Sequence, residues 1–182
     1  MISMWMMRKM ICRTVNSGWL RLVAGVFMAV LLPSVFAQGK VEVSDSLFDK
    51  AVEFVKQAEG WHTWEHAPYI GYGHRRLPGE NLNADLTRAQ ADSLLRSDLR
   101  KCCDAFREFG NKALLLGVLS YNVGIFRLKG YGGIPKSRLI QKLEKGDCDI
   151  YEEYVSFRCY KGKVIPSIER RRKAEFALFH IP

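Results

Sequence analysis

The segment from Ala113 to Val123, Ala-Leu-Leu-Leu-Gly-Val-Leu-Ser-Tyr-Asn-Val, is apolar on nearly every side when wound as a helix. A helix that is hydrophobic all round has no face to offer to water, so it must lie at the centre of a core with other elements wrapped about it. The chain has 182 residues, 48% of them hydrophobic. That is enough for one domain with a single sizeable core and too few for two. One domain built around a buried helix at 113–123 is therefore expected.

The surrounding elements can be read on either side of it. Ser44 or Asp45 can cap a helix that places Leu47, Phe48, Ala51, Val52, Phe54, Val55 and Ala58 on one side and stops at Glu59-Gly60. Thr87 with Gln90 forms a capping box ahead of a helix through Leu94, Leu95 and Leu99. Further helices are predicted over 137–144, 148–157 and 167–179, separated by glycine-containing turns. Between the first two helices, residues 61–72 are rich in aromatics, broken by Pro68, and strand-like. The fold class is thus α+β, predominantly helical, with a small β-hairpin beside the N-terminal helix. No internal repeat or low-complexity linker interrupts it.

The first 37 residues differ from the rest. They carry Arg8, Lys9, Arg13 and Arg21, no acidic residue, an apolar run from Leu22 to Leu32, and then Pro33 and Val35-Phe36-Ala37. Small residues before Gln38 suit a signal peptidase, and the apolar run falls short of the roughly 20 residues a membrane span needs. The predicted organisation is a secretory signal over 1–37 and a catalytic domain over 38–182, with export to the periplasm or medium. The alternative is an uncleaved anchor. Four of the 28 basic residues lie in the leader, leaving 24 against 19 acidic, a net of +5 instead of +9. A modest positive excess suits approach to polyanionic wall polymers. The basic residues are scattered apart from Arg170-Arg171-Arg172-Lys173 and have no aromatic interleaving, which argues against a nucleic-acid partner.

Neither cysteine nor histidine spacing points to a metal. Cys102, Cys103, Cys148 and Cys159 match no zinc pattern, and His62, His66, His74 and His180 form no HExxH or comparable set. No cofactor is expected.

The chemistry concentrates at Glu59. A carboxyl on the last turn of a helix, facing the glycine-rich run Tyr69-Ile70-Gly71-Tyr72-Gly73-His74, is how a glycosidase presents a general acid to an extended sugar chain. Trp61, Tyr69 and Tyr72 would shield that carboxyl from water, the setting in which an acid keeps its proton until it is delivered. A structural ion pair between Glu59 and Arg171 or Arg172 is the plainer reading, and the two are compatible.

Downstream pieces follow in a fixed order: Thr87-Arg-Ala-Gln90, Ser120-Tyr-Asn122-Val-Gly124, Ser137 before a Leu-Ile-x-x-Leu stretch ending in Gly146-Asp147, and Arg171-Arg172-x-x-Glu175. Together with Glu59 and the glycine-rich run, this series resembles the phage-type lysozymes, or endolysins, of glycoside hydrolase family 24. The resemblance extends from about Leu47 to Phe179. It implies a lysozyme-like fold and a monomeric, bacteriolytic or antimicrobial muramidase that acts on peptidoglycan glycan strands without stable membrane insertion after signal cleavage. Glu59 then matches the family's proton donor.

The second catalytic group departs from the family. The family places an Asp or Cys, and then a Thr, at set distances after the Glu, and those offsets fall here on Pro68 and His74. Matching the glycine-rich run instead makes the hairpin shorter than usual and puts Tyr69 where the Thr would be. Glu65 and His66 are the nearest polar replacements: a carboxylate can stabilise oxocarbenium charge or orient water, and a neutral imidazole can activate water. Each is also an ordinary polar turn residue. Tyr69, Asn122 and Ser137 are candidate sugar contacts, and Arg171-Arg172-x-x-Glu175 is expected to pack and pair. A non-catalytic, glycan-binding descendant of a lysozyme is the alternative function.

Overall fold

The computed structural model describes residues 44–82 and 85–182. The expected leader lies outside them. Helix α1 spans Asp45–Glu59 and begins as its sequence indicates, with the Ser44 hydroxyl accepting from Leu47 N at 3.3 Å. A 3-10 turn at Trp64–His66 leads into β1, Tyr69–Ile70, which pairs antiparallel with β2, His74–Arg75. Helix α2, Arg88–Asp104, opens on the Thr87/Gln90 capping box. A second 3-10 stretch at Arg107–Lys112 feeds α3, Ala113–Val123. Then come α4, Ile125–Lys129, α5, Arg138–Glu144, and α6, Tyr151–Val155. A second hairpin of β3, Cys159–Tyr160, and β4, Lys163–Val164, precedes α7, Pro166–Phe179.

Helix α3 occupies the centre, as its all-round hydrophobicity requires. Every residue from Ala113 to Ser120 is buried. Phe48, Val52 and Val55 of α1, Leu95 and Leu99 of α2, Tyr154 of α6 and Phe179 of α7 join the same core. Helices α2 and α3 approach closely at Gly117, where an added Cβ would come 2.5 Å from Cys103 Sγ and 3.1 Å from the Cys103 backbone. Any side chain there would force the two helices apart.

Five features differ from the sequence reading. The helix expected over 148–157 begins only at Tyr151, because Asp147 Oδ1 accepts from Asp149 N and turns the chain first. The 3-10 stretch at Arg107–Lys112, helix α4 and the β3–β4 hairpin are additional. The strand-like character expected over 61–72 narrows to β1, reinforced by a bridge between His62 and Gly71.

The first hairpin is docked rather than free. Ile70 is buried, and Tyr121 OH on α3 donates to Tyr72 O at 2.9 Å. His74 stands between two carboxylates, with Nδ1 at 2.5 Å from Asp98 of α2 and Nε2 at 3.1 Å from Glu80. The hairpin's glycine turn is thus held against the C-terminal end of α1, where Glu59 lies.

Candidate active site

Glu59 is the last residue of α1, and its side chain is 18% exposed. Its Oε1 accepts from Arg171 Nη2 at 2.7 Å and from Asn122 Nδ2 at 3.4 Å. Both of its side-chain hydrogen bonds among the described residues end on that oxygen. The other oxygen, Oε2, faces the hairpin turn: a Cβ added to Gly73 would stand 3.7 Å from it. Gly73 has a φ of +93°, a conformation that favours glycine. A Cβ at that distance is in ordinary van der Waals contact with the carboxyl, so the positive φ, not a lack of space, is what favours glycine at this turn.

The pair is anchored from behind. Arg171 Nε donates to Glu175 Oε1 at 2.9 Å, and Glu175 Oε2 accepts from Arg172 Nη1 at 2.5 Å and from Tyr154 OH at 2.9 Å. Arg172 also donates to Asn122 Oδ1, closing a ring of contacts through α1, α3, α6 and α7. Arg172 and Glu175 are fully buried. Burial opposes the charge on Arg171, but the carboxylates of Glu59 and Glu175 outweigh it and hold the guanidinium above its ordinary pKa. A buried carboxylate between two arginines is stable only because each hydrogen-bonding partner is supplied. The expected pairing of Glu59 with Arg171 or Arg172 resolves in favour of Arg171, and Asn122 acts as a bridge between Glu59 and Arg172.

The other site candidates lie apart from this ring. Glu65 is exposed on the 3-10 turn and lines a cavity of about 480 Å³ with Trp61, Trp64 and Asp85. His66 turns its Nδ1 back to Thr63, accepting from the Thr63 backbone N at 3.1 Å. In a neutral ring the proton then sits on Nε2. Tyr69 is exposed, with its ring centroid 6.3 Å from that of His62. Ser137 caps α5, its hydroxyl accepting from Ile140 N at 3.4 Å. Tyr154, Trp64 and Asp85 were not among the sequence candidates; Tyr154 looked like one more core aromatic, and only its phenol oxygen sets it apart. No group of three or more His, Cys, Asp or Glu among the described residues is arranged to hold a metal, and no helix among them is long and apolar enough to cross a membrane.

The helix-terminal glutamate, the arginine at its flank and the glycine turn beside it all fall within the region that a protein-family model matches. The phage lysozyme model matches residues 55–175. The chain belongs to the phage lysozyme family. In shape this family member is similar to the muramidase domain of SpmX from Asticaccaulis excentricus, with a TM-score of 0.58 and 25% identity over 73% of this chain and 96% of that domain. Nothing among curated proteins matches it. The fold is lysozyme-like, and peptidoglycan follows from family membership as the polymer it acts on or binds.

Proposed function

We propose that this chain is an exported, monomeric peptidoglycan hydrolase that cleaves the β-1,4 bond between N-acetylmuramic acid and N-acetylglucosamine, with Glu59 as general acid. The observation that carries this reading is the division of work on one carboxyl. Oε1 is fixed by Arg171 and Asn122, while Oε2 lies toward the turn at Gly73 and takes part in no hydrogen bond among the described residues. A proton on Oε2 is then presented to the glycosidic oxygen. As the C–O bond breaks, that oxygen takes the proton, and positive charge develops on the sugar left behind. Water adds to that sugar and returns a proton to the enzyme. Of the two hairpin candidates, Glu65 is the better suited to face the developing charge, since its carboxylate is open to the cavity, whereas His66 Nδ1 is engaged by Thr63.

The test is release of reducing ends from purified peptidoglycan. Glu59→Gln keeps the shape and the contact to Arg171 but has no proton to give, so a folded variant should lose about 10²- to 10⁴-fold in turnover or more. Retention of most activity would remove Glu59 from the role. A specific observation favours the second reading, a glycan-binding protein without catalysis. The family's partner positions fall on Pro68 and on His74, and His74 is occupied by Asp98 and Glu80. Wild-type protein that binds glycan strands yet releases no reducing ends would establish it.

A further inference from the structure

We propose that the turn between α4 and α5 is a docking tip that seats the domain peripherally on an anionic phospholipid surface. The proposal is independent of the catalytic reading above, since it concerns where the domain sits and not what Glu59 does. Phe126, Tyr131 and Ile134 are 57%, 70% and 51% exposed, and they stand together. The Phe126 and Tyr131 rings have centroids 4.7 Å apart, and Tyr131 and Ile134 exchange both backbone hydrogen bonds at 3.0 Å. The turn that presents them is fixed. Gly130, at φ +78°, is packed so tightly that an added Cβ would come 2.8 Å from Lys136 N and 2.9 Å from Ile134 O, and Ser137 N donates to Leu128 O at 2.9 Å behind it. Apolar side chains held on a fixed turn have little freedom left to lose when they leave water, so docking them costs little.

The charges around the tip select the surface it meets. No acidic residue occurs between Glu108 and Glu144, while Arg127, Lys129, Lys136 and Arg138 flank the turn. Lys129 and Lys136 pair with those two boundary carboxylates, at 2.7 and 2.6 Å. Arg127 and Arg138 are exposed and have no ion pair among the described residues. Rings beside guanidinium groups suit the interface of an anionic bilayer, where aromatic side chains sit at headgroup depth and cations meet phosphate. The placement agrees with this. Arg96 pairs with Asp49 at 2.6 Å, and the Arg100 guanidinium lies 4.5 Å from the Phe48 ring centroid, so the start of α1 lies beside the end of α2. Lys129 reaches Glu108 and lies 5.3 Å from the Phe106 ring centroid, so α4 and its tip stand just past that same end of α2. The chain therefore enters the domain at the end of the molecule that carries the tip. In the export reading the apolar run ends at Leu32, and the residues from there to Ser44 reach at most about 40 Å, which keeps this end close to a bilayer that holds the leader.

The experiment uses the mature chain from Gln38 to Pro182, which holds every described residue. It is sedimented, without glycan, with vesicles of phosphatidylcholine alone or mixed equally with phosphatidylglycerol. Partition onto the anionic vesicles is expected, with little onto the neutral ones. Tyr131→Ala, checked for an unchanged urea midpoint, should lower the partition coefficient about tenfold, and Tyr131→Trp should keep it. Arg127→Gln and Arg138→Gln should each lower it about fivefold, and added salt should weaken the wild type in the same direction. Trp64→Ala, which removes an exposed ring set beside Glu65 and Asp85, should change nothing. Equal partition of wild type and Tyr131→Ala, or partition that ignores lipid charge, overturns the proposal. So does a Tyr131-dependent dimer, or Tyr131-dependent retention on insoluble peptidoglycan, without vesicle binding. A wild type that binds vesicles yet releases no reducing ends would defeat the hydrolase reading and leave the tip standing. Hydrolysis without vesicle binding would do the reverse.

Discussion

The two walls that meet at Glu59 are built on opposite plans. On the helical side, the buried Arg172, Glu175 and Tyr154 hydrogen-bond with one another and with Arg171 and Asn122 in a ring drawn from three helices. On the hairpin side, Trp64, Glu65, His66 and Tyr69 are exposed. Buried polar networks tolerate no missing member, because the partner left behind keeps its desolvation cost and loses its bond. Exposed turn residues carry no such penalty. The proposed acid is fastened to the wall that cannot change. Its proposed partner, Glu65, belongs to the wall that can lose residues and exchange side chains without unfolding.

The contrast can be broken most directly at Glu175. Its removal by Glu175→Ala leaves Arg172 buried with a charge uncompensated, and Arg172 Nε already has no hydrogen-bond partner among the described residues. The expected loss of stability is about 3–5 kcal/mol, measured by urea unfolding. A loss below about 1 kcal/mol would mean that Arg171 and Arg172 find other partners, and the helical wall would no longer count as the rigid one. On the hairpin side the same measurement on Glu65→Gln and His66→Ala should give changes within about 0.5 kcal/mol, as for surface positions.

Activity should then invert the order within the hairpin. Glu65→Gln is expected to lower turnover on peptidoglycan about 10²-fold, as for removal of one preorganised charge-stabilising group. His66→Ala should lower it less than about tenfold, since Nδ1 is committed to the Thr63 backbone. A larger loss at His66 would transfer water activation to its imidazole. Two small losses with Glu59 still essential would leave the hairpin with no second catalytic group.

What was legible in the sequence follows the same division. Helix α3 announced itself through Leu114, Leu115, Leu116, Val118 and Leu119, because all-round hydrophobicity admits one location. The start of α2 was written in Thr87 and Gln90, a local device that needs no tertiary information. Arg171 was foreseeable as a partner of Glu59 only through the order of the motifs, since the two are separated by nearly the whole fold. Helix α4 was missed because five residues after the break at Gly124 carry too short a pattern to be periodic. The β3–β4 hairpin was legible in principle: Lys161 at φ 48° and Gly162 at φ 76° form the kind of two-residue turn that glycine signals. The exposure of Trp64 could not be read, because exposure of an indole depends on which neighbours cover it, and here Arg88 covers Trp61 instead.

The smallest expected effect tests whether the helical wall has a weak point of its own, at the end of α7. His180 stacks on Phe176 with centroids 4.3 Å apart, and its Nε2 is buried with no hydrogen-bond partner among the described residues. Burial, and then the charge of Lys112, lower its pKa below the ordinary 6.5. Lys112 and Asn111 meanwhile hold the last carbonyls, of Ile181 and Pro182. The folded chain therefore prefers the neutral ring. As pH falls through about 6.5 the unfolded chain takes a proton that the folded chain resists, so the stability contributed by neutral His180 is complete above that value and declines below it. Partial exposure keeps the loss under about 1 kcal/mol. Urea unfolding at pH 7.5 and pH 5 should show the decline in wild type, and His180→Phe, which retains the stack on Phe176, should flatten it. An unchanged slope in His180→Phe would move the acid sensitivity to the hairpin side, where the Leu77 backbone N–H and then the His74 side chain hold the Glu80 carboxyl below its usual range, and would make the docking of that wall, not the helical one, the part that depends on pH.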